Sequence, residues 1–124
     1  VPGTREYEVR AASTATFGRV LVDARDQHLV VDGPVQNGCP GEAPTPAELF
    51  LAGVAACGVE LVHVIAREHG IGLDDVRVTV RGVMDPARRP RPDVALFNAV
   101  ALEFVLRGVG DEDAALLVTT FKGR

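Results

Sequence analysis

No stretch of this chain restricts its folding more than the one from Ala43 to about His69, which reads as a long helix with an apolar character on nearly every side. Its start is written in three residues. Thr45 is placed to cap, Pro46 presets φ at the first helical position, and Glu48, three residues after the cap, returns a carboxylate to the open N–H groups. Apolar and small residues then continue around most faces to about Ile65, and Gly70 offers a left-handed stop. The pattern predicts a buried helix from Pro46 to about His69. A helix of this kind needs cover on all sides, and a single 124-residue subunit has one sheet to supply it. Ala52, Gly53, Ala55, Ala56 and Gly58 carry small side chains that let a second helix come close, so a homodimer with paired central helices is expected.

Around this helix the remaining segments alternate as strands. Arg5 to Ala11, Thr14 to Asp23 and His28 to Asp32 carry short alternating or β-branched runs and predict an antiparallel meander. Gly33 to Pro44 is a loop of Gly, Pro, Asn and Cys that delivers the chain to the helix. After Gly70, Val76, Val78 and Val80 alternate with Arg77, Thr79 and Arg81, the mark of a half-exposed strand. Pro86, Pro90 and Pro92 stiffen the following excursion. A strand resumes from Val94 to Leu106, and a last helix runs towards Phe121 with Asp111 as its cap. The order β-β-β-α-β-β-α, with no internal repeat, predicts one α+β domain spanning residues 1–124 rather than a doubly wound sheet.

Composition narrows the function classes. A net charge of −4, with arginines scattered apart from Arg88-Arg89-Pro90-Arg91, lacks the basic footprint that phosphate backbones require, so nucleic acid is not an expected partner. Glu48 and Glu60 interrupt the longest apolar run, which argues against a membrane span, and no signal-peptide pattern opens the chain. Two cysteines, Cys39 in the loop and Cys57 in the helix, are too few for a disulfide scaffold and suit a reducing cytoplasm.

Cys57 is the candidate for chemistry, with a small buried hydrophobe as its plain alternative. A reactive thiol must ionise, and the helix dipole cannot help, because twelve residues separate Cys57 from Thr45, about 18 Å at the helical rise. Its neighbours at three and four residues are Gly53, Val54, Glu60 and Leu61, so the only local charge is a carboxylate, which opposes ionisation. The cation must come from elsewhere, and Arg19 or Arg25 of the early strands is the expected source. Glu48 leaves the helix on the face opposite Cys57 and is better placed for a partner subunit's site than for its own.

Gly33-Pro34, Asn37-Gly38 and the run from Ala43-Pro44-Thr45-Pro46-Ala47-Glu48-Leu49-Phe50 to Ala55-Ala56-Cys57 resemble the OsmC/Ohr proteins. In these a Gly-rich loop and a Pro-x-Glu-Leu or Pro-Glu-x-Leu helix start precede an Ala-rich helix bearing the reactive cysteine. The resemblance implies an intertwined α+β homodimer with two central helices. It also implies a thiol-dependent peroxidase that reduces organic hydroperoxides and needs no cofactor. Cys57 is similar to the peroxidatic cysteine, Arg19 to the arginine that favours its thiolate, and Glu48 to the glutamate of the branch with a Pro-Thr-Pro-x-Glu-Leu start. A dithiol such as dihydrolipoamide is the implied reductant.

Three positions depart from the family pattern. The hydroperoxide reductases carry an arginine-holding Glu directly after the helix-opening proline, where this chain has Ala47. The family's resolving cysteine normally follows the last helix in a Cys-Pro context, and this sequence reaches Arg124 about where such a segment begins. Cys39 occupies a loop position where the family usually has glycine. Two other readings stay open: a binding protein that keeps the fold without efficient turnover, and a metal site built on the Glu60-x-x-His63 spacing.

Overall fold

The computed structural model describes residues 3–93 and 97–124. The chain packs as two compact units, Val1–Phe50 and Leu51–Arg124, with the boundary inside the long helix.

In the first unit, β1 (Arg10–Ser13), β2 (Arg19–Ala24) and β3 (Gln27–Asp32) form an antiparallel meander in the order β1-β2-β3. The register runs from Ala24↔Gln27 at the hairpin tip to Arg19↔Asp32 at the other end. At the tip Arg25 takes φ 56°, which lets two residues close the turn. Two expected strand starts are corrected. The first strand begins at Arg10 rather than Arg5, because Tyr7 and Val9 alternate in sequence but have no surface to cover them and stay exposed. The second begins at Arg19 rather than Thr14, because the Thr14 hydroxyl accepts from the Thr16 N–H (3.1 Å) and donates to the Arg19 carbonyl (3.0 Å). That local bonding, with Gly18 at φ 79°, makes residues 14–18 a turn.

α1 (Pro46–Glu68) starts and stops where its sequence predicts. At its C-terminus the Gly70 N–H donates to the Arg67 carbonyl (3.3 Å) and the Ile71 N–H to Ala66 (2.8 Å), with Gly70 at φ 66°. This paired closure needs a left-handed residue at Gly70. β4 (Asp75–Val83) and β5 (Ala99–Arg107) pair antiparallel from Asp75↔Arg107 to Val83↔Ala99, as a second, two-stranded sheet. The alternation of β4 holds, with Val76, Val78 and Val80 inward and Arg77, Thr79 and Arg81 exposed. The later strand begins at Ala99, and of the residues expected before it Val94, Ala95 and Leu96 lie outside the described residues. α2 (Asp111–Lys122) is capped by Gly110 rather than Asp111. Asp111, Glu112 and Asp113 fill its first turn, where the dipole favours negative charge.

The core of the second unit is built from Val62, Ile65 and Ala66 of α1, Val76 of β4 and Leu117 of α2. Around it pack Val78, Leu106, Phe104 and Phe121, the last two edge to face with centroids 5.3 Å apart. One chain does not by itself supply the cover expected on all sides of the helix. Within one chain only Gly58, Val62, Ile65 and Ala66 of α1 are buried, because a two-stranded sheet and α2 cover one face of it. Gly53, Ala56, Cys57, Glu60, His63 and Arg67 form an exposed stripe on the other. By length and composition alone α1 is apolar enough to cross a bilayer, a test that the core helix of a soluble protein passes as well.

Candidate functional site

The turn at residues 14–18 delivers Arg19 to the open end of the β2–β3 hairpin, directly opposite Asp32. There the guanidinium meets Asp32 through two parallel bonds, Nε to Oδ1 at 2.8 Å and Nη2 to Oδ2 at 2.9 Å. Nη2 also donates to Glu42 Oε1 at 3.1 Å. Asp32 is fully buried, and its Oδ2 additionally accepts the backbone N–H groups of Glu42 (2.9 Å) and Ala43 (3.0 Å). The Asp32 N–H donates to the Pro44 carbonyl at 3.1 Å, so strand end, loop and helix lead-in are joined at one residue.

This arrangement explains how a charge survives in a buried place. The Arg19 hydrogen bonds and the two backbone donors outweigh desolvation and hold the Asp32 carboxyl down at about 2. The hydrogen bonds to Asp32 and then Glu42 raise the Arg19 guanidinium, which stays charged throughout the accessible range. The two carboxylates differ in setting: the Glu42 side chain is 76% exposed, the Arg19 side chain 30% and the Asp32 side chain 0%.

Neither Asp32 nor Glu42 stood out in the sequence. Asp32 carried one signal, a carboxylate ending the Leu29-Val30-Val31 run directly before Gly33-Pro34, and Glu42 carried none. Arg25, the other candidate cation, lies at the hairpin tip, about 20 Å from Arg19 at the rise of a strand.

Cys57 lies on the exposed stripe of α1, so in the single chain its thiol is open and not sealed in hydrocarbon. Glu48 is committed to the helix start: its Oε1 accepts the Thr45 N–H at 3.0 Å and its own N–H donates to Thr45 Oγ1 at 3.3 Å. The Thr45 N–H first, and its hydroxyl second, hold the Glu48 carboxyl below its ordinary value. Cys39 is half-buried, with its sulfur packed against Gly18 and Gly33.

Glu60, His63 and Arg67 line a shallow depression of about 520 Å³ with Ile71 and Leu73. Among the described residues no group of three or more metal-ligating side chains comes together. His28 and His69 find partners in Asp23 and in the Ile65 carbonyl. In the first unit an apolar groove of about 370 Å³ is lined by Ala11, Val20, Val22, Val31, Leu49 and Phe50.

Residues 39–122 match the family described as OsmC-like protein. The fold is similar to an OsmC-like protein of Mycoplasma pneumoniae, with a TM-score of 0.81 at 14% identity over 97% of this chain and 82% of that one. It is also similar to an organic hydroperoxide resistance protein OsmC of Legionella pneumophila, with a TM-score of 0.71 at 27% identity over 94% and 82%. An organic hydroperoxide resistance protein OhrB of Bacillus subtilis matches with a TM-score of 0.61 at 22% identity, over 94% and 83%. Among curated proteins no sequence match is found.

Proposed function

Since this chain belongs to the OsmC-like family, we propose that it is a thiol-dependent peroxidase acting on organic hydroperoxides in oxidative-stress defence. Cys57 is the nucleophile and Arg19 the cation that favours its thiolate. The thiolate sulfur attacks the outer peroxide oxygen, an S–O bond forms, the O–O bond breaks, and the departing alkoxide takes up a proton to leave as an alcohol. The resulting sulfenic acid condenses with one thiol of a dithiol such as dihydrolipoamide and releases water. The second thiol closes the reductant's own disulfide and frees Cys57. Glu48 supports the site from the helix start.

The observation that carries this reading is the family match across residues 39–122, within which Cys57 lies on the stripe of α1 that its own chain leaves uncovered. The same exposed stripe, with Gly53 and Ala56 beside Cys57, supports a homodimer in which a second copy covers the helix. A reducing cytoplasm suits a free-thiol mechanism.

A second reading, a small-molecule-binding protein of weak or no turnover, is favoured by the apolar groove in the first unit. Turnover of cumene hydroperoxide with dihydrolipoamide, in the protein and in Cys57→Ser, separates the two. Loss of turnover in C57S supports the peroxidase, and equal residual rates leave the binding reading alone.

A further inference from the structure

The two carboxylates on Arg19 are not equivalent, and their difference points to a division of labour. Asp32 grips the Nε edge of the guanidinium with both oxygens, is shut off from solvent, and is itself fixed by two backbone N–H groups. Glu42 makes one bond at 3.1 Å from a side chain that is 76% exposed. Nη1, the remaining edge, has no partner among the described residues, so its two N–H groups are left to point where a ligand can take them.

We propose that Asp32 is the positioning residue that aims Arg19 in place of the carboxylate absent at Ala47, and that Glu42 is a displaceable counter-charge on the same guanidinium. The proposal rests on the peroxidase reading above, in which Arg19 serves Cys57. A planar guanidinium gripped along one edge has its opposite edge fixed in direction, which a single point contact cannot do. Two carboxylates on one cation also cancel its field. Glu42, being exposed and singly bonded, is the one that an incoming anion or a developing negative charge can replace.

Asp32→Asn tests the first half, because the two tasks of Asp32 separate in that variant. The carboxamide oxygen takes the place of Oδ2 and keeps the Glu42 and Ala43 N–H bonds. The amide nitrogen then faces the Arg19 Nε–H, donor against donor, while the Nη2 bond to the oxygen at the Oδ2 place remains, so the loop anchor stays and the paired grip on Arg19 is reduced to a single contact without the carboxylate charge. The readout is the rate of alkylation of Cys57 from pH 5 to 10, followed on its own peptide by mass spectrometry, with hydroperoxide turnover measured in parallel.

We expect D32N to slow Cys57 alkylation at neutral pH about tenfold and to move the midpoint of its pH profile upward by about one unit. In an Arg19→Ala background D32N should add nothing further. Glu42→Gln should act in the opposite sense and raise the rate two- to threefold, about what one screened charge is worth. Arg19→Lys, which keeps the charge but cannot form the paired bonds, should fall close to R19A, and it carries the test if D32N does not fold.

The assignment is overturned if D32N or R19K matches the unmodified protein while R19A is slow. It is equally overturned if D32N and E42Q shift the rate in the same direction, or if D32N is as damaging without Arg19 as with it. Failure of the underlying reading looks different: R19A then alkylates at the unmodified rate, or C57S retains turnover.

Discussion

Cys39 points its sulfur into the space that a Cβ on Gly33 would occupy, and the same sulfur blocks a Cβ on Gly18. These glycines flank Asp32 and Arg19 along the chain, and the Gly33 N–H donates to the Gly18 carbonyl at 2.9 Å. Gly33→Ala should therefore destabilise by overpacking, about 1–3 kcal/mol, with no contribution from backbone strain at a position whose φ is not positive. Adding Cys39→Gly should restore most of the loss. Urea unfolding of the single and double variants checks it, and equal stability of G33A and G33A/C39G would contradict the packing described.

Acid should expose the Arg19–Asp32 pair. The folded-state value of Asp32 lies at about 2, below its unfolded value of 3.8. Its contribution is fully present above pH 4 and is lost as the pH falls through about 2. The melting temperature of the protein should drop more steeply between pH 4 and 2 than that of D32N, and parallel curves would show that the pair does not stabilise the fold.

Leu117→Ala removes the fully buried α2 side chain from a cluster of five buried residues. A cost of about 2–5 kcal/mol is expected, a large fraction of the stability of a small domain. Circular dichroism of L117A during a urea titration measures it.

A Cβ on Gly53 meets nothing within 4 Å, so Gly53→Leu fits the single chain and improves helix propensity by about 0.8 kcal/mol. A leucine there would hold off a second helix. Sedimentation should find a dimer for the unmodified chain and a monomer for G53L, and a dimeric G53L would place the pairing elsewhere.

Glu48 offers a separation of roles within one residue. Glu48→Gln keeps an oxygen for the Thr45 N–H, whereas Glu48→Ala removes it. If the carboxylate acts only as a cap, E48Q keeps both stability and turnover and E48A loses stability alone. A drop in E48Q turnover at unchanged melting temperature would assign it a role in the reaction.

What was legible in sequence was whatever one segment settles by itself. The start of α1 follows from Thr45, Pro46 and Glu48, its end from Gly70, and the faces of β4 from strict alternation. Residues 14–18 misread as strand because the Thr14 hydroxyl competes for backbone groups, which a count of periodicity does not register. The burial of α1 was legible only as a demand: an apolar pattern states that cover is wanted and not which chain provides it. Cys57 and Arg19 could be singled out as residue types in context, and their joint role is the proposal made above. Asp32 and Glu42 were not, because their meaning depends on a cross-strand partner thirteen residues away from one and twenty-three from the other.

The Arg19–Asp32 opposition is a property of pairing that is set at the far end of the hairpin, where Arg25 and Asp26 turn the chain. An insertion at that tip that slid β3 along β2 by one residue would bring Val31 or Gly33 opposite the guanidinium and flip every intervening side chain to the other face. Surface turns ordinarily absorb insertions freely. This one is a ruler, and drift in its length would disarm the cation without touching any residue near it.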